Sequence, residues 1–275
     1  MELGEAVIIG LVQGITEILP ISSTAHILLL ADVFQIPEPS VAATVFLNFG
    51  SFLAIILFFG RRWLHILQGT WRLLLYALGK SQWYSREDLD QSYYALLLVL
   101  ATLPALVIGY FFEDIIAETL RHSRVIAGAL MGGGALLLAA DLFGRHKTMG
   151  QLDRIDAVWI GLFQALALIP GFSRSGSAIT GARFLYLNRS DAATFAFLMG
   201  APVLIAAMVY KLPVLFASGA FSNTNLWVAF GISVLSTYAA IQFIMDFVRQ
   251  RSYLWFVVYR FILGSLILVL VWSAA

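Results

Sequence analysis

The chain has 275 residues, of which 60% are hydrophobic and 12% are charged, and its mean hydropathy is +0.87. A soluble domain of this size needs more charge to cover its surface, so lipid must be the solvent for much of the chain. The net charge of +1 argues against a nucleic-acid partner, and the lack of cysteine excludes disulfide and thiolate chemistry.

The apolar segments, taken in chain order, are of two kinds. The first, 3–33, lacks the basic run of a signal peptide, so we expect it to be retained, and it is broken near its middle. A helix needs about 20 mostly apolar residues to cross the membrane. Six later segments meet that condition: 40–60, 93–112, 124–143, 192–210, 224–247 and 253–273. Between the first two, 61–80 mixes Arg, Trp and Leu, which predicts a helix lying in the cytoplasmic interface.

The segment 157–188 is interrupted in the same way as 3–33. The breaks read LPISST at 19–24 and PGFSRSG at 170–176. Proline removes a backbone donor, and Ser and Gly favour caps and turns, so each segment predicts two short helices joined by a loop. Arms of roughly ten residues are too short to cross, so each hairpin is predicted to re-enter the side it came from. The prediction is one all-α membrane domain over 1–275, with six transmembrane helices and two re-entrant helix-loop-helix hairpins.

The basic residues are distributed asymmetrically over the predicted loops. If the first hairpin enters from outside, the cytoplasmic loops hold eleven of the seventeen: Arg61, Arg62, Arg72, Lys80, Arg86, Arg145, Lys147, Arg154, Arg189, Arg249 and Arg251. The outer loops hold Arg121, Arg124 and Lys211. The remaining three, Arg174, Arg183 and Arg260, lie within apolar segments. This positive-inside pattern predicts that both termini face outward.

The second hairpin then enters from the cytoplasm, opposite to the first. Gln13 and Gln164 each precede a proline by six or seven residues, and a Ser-rich turn follows in both segments. Broken helices at corresponding positions of two halves with opposite topology indicate a binding site near the bilayer midplane.

The first break gathers ionisable and hydroxyl side chains. Gln13 and Glu17 are four residues apart and share one helix face. A carboxylate with apolar neighbours should face a partner or a wet cavity, because burying it is costly. The hydroxyls of the break are supplied by Ser22, Ser23 and Thr24, and His26 follows on the face of Ser23 if that arm is helical. The alternative is that the hydroxyls only cap a helix, Glu17 snorkels and His26 packs.

The second break predicts an anion-binding site. The N-terminus of its second arm presents unpaired N–H groups and a partial positive charge, and Arg174 adds a fork that grips phosphate oxygens. Glycine at 171 and 176 lets the backbone approach closely. The further candidate donors are Ser173, Ser175, Gly176, Ser177 and Thr180. The alternative is a structural Arg174 tied to carbonyls or to Glu17. Together the two breaks hold an acid, a base, a hydroxyl nucleophile and an anion clamp, which suits a phosphate group on a lipid tail.

At these residues the sequence resembles the undecaprenyl-diphosphate phosphatase family of the bacitracin-resistance type. Its first motif, an acidic residue-Gly-x-Thr-Glu-x-Leu-Pro-x-Ser-Ser-Thr-Gly-His, is matched from Gln13 to His26. Its second, Pro-Gly-x-Ser-Arg-Ser-Gly-x-Thr, is matched from Pro170 to Ala178. Weaker likenesses are NFGS at 48–51, Ala201-Pro202 and Tyr259-Arg260, so the resemblance covers the whole chain.

The resemblance implies hydrolysis of a polyprenyl diphosphate to the monophosphate, which recycles the lipid carrier for cell-wall polymers. It also implies a bacterial plasma-membrane location, a catalytic pocket facing outward and a divalent cation, Mg²⁺ or Ca²⁺, with a homodimer as one expected assembly. Glu17 corresponds to the essential carboxylate and Ser23 to a proposed nucleophile. His26 corresponds to the acid/base and Arg174 to the diphosphate clamp. The supporting donors correspond to Thr24, Ser173 and Ser175.

Three positions depart from the family pattern. Gln13 replaces the first carboxylate, so Glu17 is the expected metal ligand and Gln13 only a weak one. Ala25 replaces a glycine, and Ala178 replaces a threonine that could donate to phosphate. Because Mg²⁺ can bind through one carboxylate together with waters and substrate phosphates, we expect activity to survive.

The hypothesis for the mechanism is that Arg174 and a cation neutralise the phosphates while His26 takes a proton from Ser23 or from a water, which attacks the terminal phosphorus. The sequence leaves the nucleophile open. The rival function is a transporter or flippase of the monophosphate lipid, since inverted repeats with midplane breaks also serve alternating access.

Overall fold

The computed structural model describes residues 2–34, 36–81, 83–112, 115–116, 119–142 and 146–273. These residues form eleven α-helices: α1 (Leu3–Ile18), α2 (Ser23–Phe34), α3 (Val41–Phe58), α4 (Gly60–Ala77), α5 (Arg86–Phe111), α6 (Ser123–Leu142), α7 (Arg154–Ala165), α8 (Arg174–Phe184), α9 (Arg189–Ala217), α10 (Thr224–Gln250) and α11 (Leu254–Ser273). The described part of the chain contains no β-strand, so the all-α prediction is confirmed.

Six of the helices are long and apolar enough to cross a membrane, namely α3, α5, α6, α9, α10 and α11. They coincide with the six predicted spans, and α5, α9 and α10 extend beyond the predicted bounds. The amphipathic stretch after α3 is helical as expected, since α4 buries Ile66 and Gly69 and exposes Trp71. Its placement in the interface stays a prediction, and Arg145, counted among the cytoplasmic charges, lies outside the described residues.

Both interruptions are present where the sequence predicts them. α1 ends at Ile18 and α2 begins at Ser23, while α7 is followed by a 3₁₀ turn at Leu166–Leu168 before α8 begins. With 16 residues, α1 is longer than the roughly ten predicted for an arm, because it is helical from Leu3, where a capping box joins Glu2 and Glu5, to the break itself. Re-entry of the hairpins into the membrane stays a prediction.

The first arm of each hairpin packs closely on a long helix through glycine. A Cβ at Gly10 would collide with the carbonyl of Ala229 in α10, and one at Gly161 would collide with the carbonyl of Ala101 in α5. Gly14, one turn after Gly10, lies against α10 at Thr237, whose hydroxyl donates to the Gly14 carbonyl at 3.1 Å. Small residues spaced in this way allow two helix backbones to approach closely in lipid.

The breaks lie at the level of the centres of the long helices. Thr237 is the central residue of α10, and Ile18 ends α1 one turn beyond the Gly14 that contacts it. Gly200, which contacts Arg174 at the second break, lies close to the centre of α9. The two breaks therefore meet in the interior of the helix bundle rather than at one of its ends.

A buried ionic cluster fixes the end of α8 away from the break. Asp141 at the end of α6 accepts two hydrogen bonds from Arg189, at 2.8 and 2.6 Å, and pairs with Arg183 at 3.2 Å. The backbone N–H of Tyr253 donates to the same carboxylate at 3.2 Å. Asp141, Arg183 and Arg189 belong to α6, α8 and α9, and Tyr253 immediately precedes α11, so the cluster anchors α8 to three helices of spanning length. Arg183 is thus explained as an anchoring residue, and it lies outside the site.

Candidate active site

The side chain of Glu17 joins the two breaks. It lies in the last turn of α1, and its Oε1 accepts a hydrogen bond from Arg174 Nη2 at 2.9 Å. Its Oε2 accepts from Ser23 Oγ at 2.9 Å and from Gln13 Nε2 at 3.1 Å. The structure thus brings the anion clamp Arg174 to the carboxylate and the candidate nucleophile, both of which lie more than 150 residues before it in the sequence.

Two serines in an unusual backbone conformation position the second arms. Ser22 has φ 72° and Ser173 has φ 70°, and a positive φ costs a residue with a side chain on the order of 1–3 kcal/mol. Each residue immediately precedes a helix, and each caps it, since Ala25 N donates to Ser22 Oγ at 3.5 Å and Gly176 N donates to Ser173 Oγ at 3.2 Å. The turns place Ser23 and Arg174 at the first positions of α2 and α8.

A polar cavity of about 360 Å³ opens between the breaks. It is lined by predicted site residues from both hairpins: Gln13, Glu17, Ser22, Ser23, Thr24, Ser173 and Arg174. The Arg174 side chain keeps 14% of its surface exposed, so its ion pair with Glu17 does not seal it from a ligand. The space between the breaks is therefore open and polar, as an anionic headgroup requires.

His26 lies away from the cavity lining. Its Nδ1 is 2.7 Å from the carbonyl oxygen of Ser22, and its Nε2 is 2.6 Å from the hydroxyl of Tyr259, with the two rings stacked at 5.5 Å. Since a carbonyl can only accept, Nδ1 carries the proton and Nε2 accepts from Tyr259. In this arrangement the hydroxyl of Ser23 donates its hydrogen bond to Glu17. The role of His26 as acid/base stays a prediction, and the contacts of its ring do not support it.

The remaining predicted donors of the second arm lie behind the cavity. Thr180 Oγ1 donates to the Gly176 carbonyl at 2.7 Å, within the helix. Ser177 is buried and lines a small crevice beside Phe172. Ser175 Oγ donates to the Leu19 carbonyl at 3.3 Å, which ties one break to the other. For Ser175 and Thr180 the contacts indicate packing and positioning rather than substrate contact, because their hydroxyls are occupied within the protein. The Ser177 hydroxyl has no hydrogen-bond partner among the described residues, and it lies in the crevice rather than in the cavity lining.

Arg260 of α11 donates hydrogen bonds to both breaks. It is fully buried, and its Nη1 donates to the Pro20 carbonyl at 3.4 Å. Its Nη2 donates to the carbonyls of Gly171 and Phe172, at 3.3 and 2.9 Å. The sequence indicates Arg260 as an arginine within an apolar span and, with Tyr259, as a weaker likeness to the family, but it assigns the residue no role. Its contacts make it a residue that holds the breaks in register.

In the free protein the polar groups near Glu17 are engaged with one another. Gln13 Nε2 donates to Glu17 and also to Asn48 Oδ1, at 2.6 Å, so it is the nitrogen of this amide that faces Glu17. Both oxygens of Glu17 are occupied by Arg174, Ser23 and Gln13. Among the described residues, no group of three His, Cys, Asp or Glu could hold a metal ion.

Two further residues that the sequence analysis did not assign to the site shape the cavity. A Cβ at Gly200 would collide with the guanidinium of Arg174, so this glycine makes room for the clamp. Arg121, placed by the sequence in an outer loop, lines the cavity. A glycine within an apolar span is a weak signal, and nothing near Arg121 in the sequence connects it with either break.

The structure is that of a polytopic membrane protein with a polar site in its interior. It has six helices of membrane-spanning length around two interrupted helices, which meet at a buried Arg–carboxylate pair. The chain belongs to the BacA family: the family model described as bacitracin resistance protein BacA matches residues 6–266. The chain is 37% identical to a protein of Alcanivorax borkumensis over all of both chains, and 38% identical to one of Hahella chejuensis over 98% of each. It is 35% identical to a protein of Desulforudis audaxviator over 97% of each. All three relatives are named undecaprenyl-diphosphatase.

Proposed function

We propose that the protein is a membrane phosphatase that hydrolyses undecaprenyl diphosphate to the monophosphate and phosphate, recycling the lipid carrier for cell-wall polymers. The observation that carries the proposal is the Glu17–Ser23–Arg174 constellation, which faces an open polar cavity between two breaks. The family membership of the whole chain and the names of its relatives agree with it. Lipid transport without hydrolysis is not favoured.

Binding of the diphosphate begins with Arg174 and the N-terminus of α8. In the free protein Glu17 neutralises Arg174, and the guanidinium keeps donors that can turn to phosphate oxygens. The partial positive charge of the helix N-terminus adds to the attraction. Because the site is mostly buried, each of these interactions is stronger than it would be in water.

The chemical step uses the hydrogen bond from Ser23 to Glu17. Ser23 Oγ attacks the terminal phosphorus, its proton passes to Glu17, and the bond from that phosphorus to the bridging oxygen breaks, so that the lipid monophosphate leaves. Water then hydrolyses the phosphoserine and regenerates Ser23. In the competing route, Glu17 takes the proton from a water that attacks directly. Acid-stable labelled phosphate trapped on the wild-type protein but not on Ser23→Ala would support the serine route.

A divalent cation, Mg²⁺ or Ca²⁺, stays a prediction from the family resemblance. Glu17 is the carboxylate that contacts Gln13, and the described residues hold no group of three metal-binding side chains, so a cation would depend on the phosphates and waters for most of its ligands. Phosphate release measured with and without a chelator tests the requirement. The orientation with the pocket facing outward, the plasma-membrane location and self-association are predictions of the same kind.

The test of the function is phosphate release by purified protein incubated with undecaprenyl diphosphate. We expect Glu17→Gln and Arg174→Ala each to lower kcat/KM by at least about a hundredfold, because each removes a charged partner in a buried site. The matched control is Arg249→Ala, an exposed arginine paired with Asp246 at 3.1 Å. Activity of both site variants equal to that of the control would disprove the assigned roles, and an inactive wild-type protein would disprove the function.

A further inference from the structure

A second and larger cavity adjoins the polar one. It has a volume of about 720 Å³, lies between the end of α5 and the middle of α9, and is lined mainly by apolar side chains, including Leu106, Leu168 and Ala206. Val203, Ala207 and Arg121 line both cavities. The apolar groove and the headgroup cavity are therefore adjacent parts of one continuous depression.

Arg121 lies at the junction of the two cavities. It is exposed, and it makes no hydrogen bond or ion pair with any residue in the described part of the chain. The other cation of the headgroup cavity, Arg174, is already neutralised in part by Glu17. A diphosphate carries more negative charge than one such arginine can balance, and Glu38 in the same cavity adds to that charge, so a second cation at this place strengthens binding.

We propose that the groove holds the first isoprene units of the prenyl tail and that Arg121 binds the lipid-linked phosphate. This inference rests on the proposed function. One molecule then spans both cavities, with its tail in the groove, its inner phosphate at Arg121 and its terminal phosphate at Arg174 and Ser23. The arrangement determines which phosphorus faces the nucleophile, so hydrolysis releases inorganic phosphate and leaves the monophosphate on the lipid.

The test uses two variants that separate the tail from the headgroup. Arg121→Ala removes the cation, and Ala206→Phe fills the groove with a ring. The matched controls are Arg124→Ala, an exposed arginine three residues further along, and Val209→Phe, an exposed position of α9 that lines neither cavity. Each protein is assayed with undecaprenyl diphosphate and with farnesyl diphosphate. Methylenediphosphonate serves as a competitive inhibitor that has the headgroup but no tail.

We expect Arg121→Ala to raise both the KM for the prenyl diphosphates and the Ki for methylenediphosphonate by roughly tenfold, because a charge-assisted hydrogen bond is lost. Arg121→Lys should restore part of the loss. We expect Ala206→Phe to raise KM for the prenyl diphosphates only, leaving the Ki unchanged, since the tail-free inhibitor does not enter the groove.

Two outcomes overturn the inference while the function stands. In the first, Arg121→Ala is active and has the same KM and Ki as Arg124→Ala, so Arg121 does not bind phosphate. In the second, Ala206→Phe has the same KM as Val209→Phe, so the groove holds bulk lipid rather than the prenyl tail. A wild-type protein that releases phosphate from neither prenyl diphosphate would instead remove the proposed function and this inference with it.

Discussion

The amide of Gln13 occupies a position from which a second carboxylate would face Glu17 directly. It lies 3.1 Å from Glu17 Oε2 and also donates to Asn48. In Gln13→Glu two carboxylates would share this space, and like charges so close are not both ionised without a counter-ion. We expect the variant to lose activity in chelator and to recover it when Mg²⁺ is added. Its activity should rise more steeply with the Mg²⁺ concentration than that of the wild-type protein.

The measurement for Gln13→Glu is phosphate release as a function of free Mg²⁺. Gln151→Glu makes the same chemical change at an exposed site and serves as the control. If phosphate release by Gln13→Glu depended on Mg²⁺ as it does in the control, the amide of Gln13 would have no influence on the Mg²⁺ dependence of the enzyme.

Substitution of Gly200 by alanine should affect the activity of the protein much more than its stability. An added methyl group at this position would displace the Arg174 guanidinium from Glu17. Alanine is the better helix former by about 1 kcal/mol, which offsets part of the loss of the Arg174–Glu17 pair. Gly200→Ala should therefore change the thermal stability little while it lowers kcat/KM about tenfold or more. Gly231→Ala, a glycine of α10 with open space around it, is the matched control. A fully active Gly200→Ala would show that Arg174 tolerates displacement.

At the scale of single residues, chemistry alone identifies part of the site. Glu17 and Arg174 are predictable because a charge within an apolar segment needs a partner, and Ser23 because it lies beside them in a motif. Arg121 and Gly200 are not predictable in this way. Their roles arise from contacts between segments far apart in the chain, and neither residue type is unusual where it occurs in the sequence.

At the scale of helices, the breaks are predictable and their backbone conformation is not. Proline, glycine and serine indicate where α1 and α7 end. They do not indicate that Ser22 and Ser173 adopt a positive φ, because this conformation is held by contacts around the breaks rather than by the serines themselves. Arg260 supplies several of those contacts, since it donates to carbonyls of both breaks.

Replacing Arg260 should therefore damage the whole site. Arg260→Met would leave several buried carbonyls without donors, at a cost of about 1–3 kcal/mol for each group left unsatisfied. We expect a large fall in thermal stability in detergent and the loss of phosphate release, with Arg260→Lys intermediate because it keeps the charge but not the fork. Arg251→Ala, on an exposed arginine, should change neither property. A stable and active Arg260→Met would contradict the positioning role.

At the scale of the molecule, the two hairpins are related by a repeat that extends further than their sequences suggest. Gly10 and Gly161, Gln13 and Gln164, and Ser22 and Ser173 are all separated by the same number of residues. Members of each pair share a structural role: the glycines contact a long helix through its backbone, the glutamines are buried, and the serines have a positive φ. The internal repeat was visible in the sequence only at the glutamines and the Ser-rich turns, since isolated glycines carry little signal.

The packing of the first arms also determines how the hairpins are directed. α1 runs parallel to α10, because Gly10 lies beside Ala229 and Gly14 beside Thr237. α7 runs parallel to α5 by the same criterion, since Gly161 lies beside Ala101 and Leu168 follows beside Gly109. If all six long helices cross the membrane in alternation, α5 and α10 run in opposite directions. The hairpins then enter from opposite sides, and their re-entry without crossing stays a prediction.

Labelling of single cysteines on intact cells tests this arrangement, and the chain has no native cysteine to interfere. Cysteines at Glu2 and Ser40 flank the first hairpin, and we expect both to react with a membrane-impermeant thiol reagent from outside. Cysteines at Gln151 and Ser190 flank the second hairpin and should react only after permeabilisation, because the positive-inside pattern places them in the cytoplasm. Labelling of one member of a flanking pair without the other would mean that the hairpin spans. Reversed labelling of both pairs would keep the re-entrant fold and turn the pocket to the cytoplasmic side.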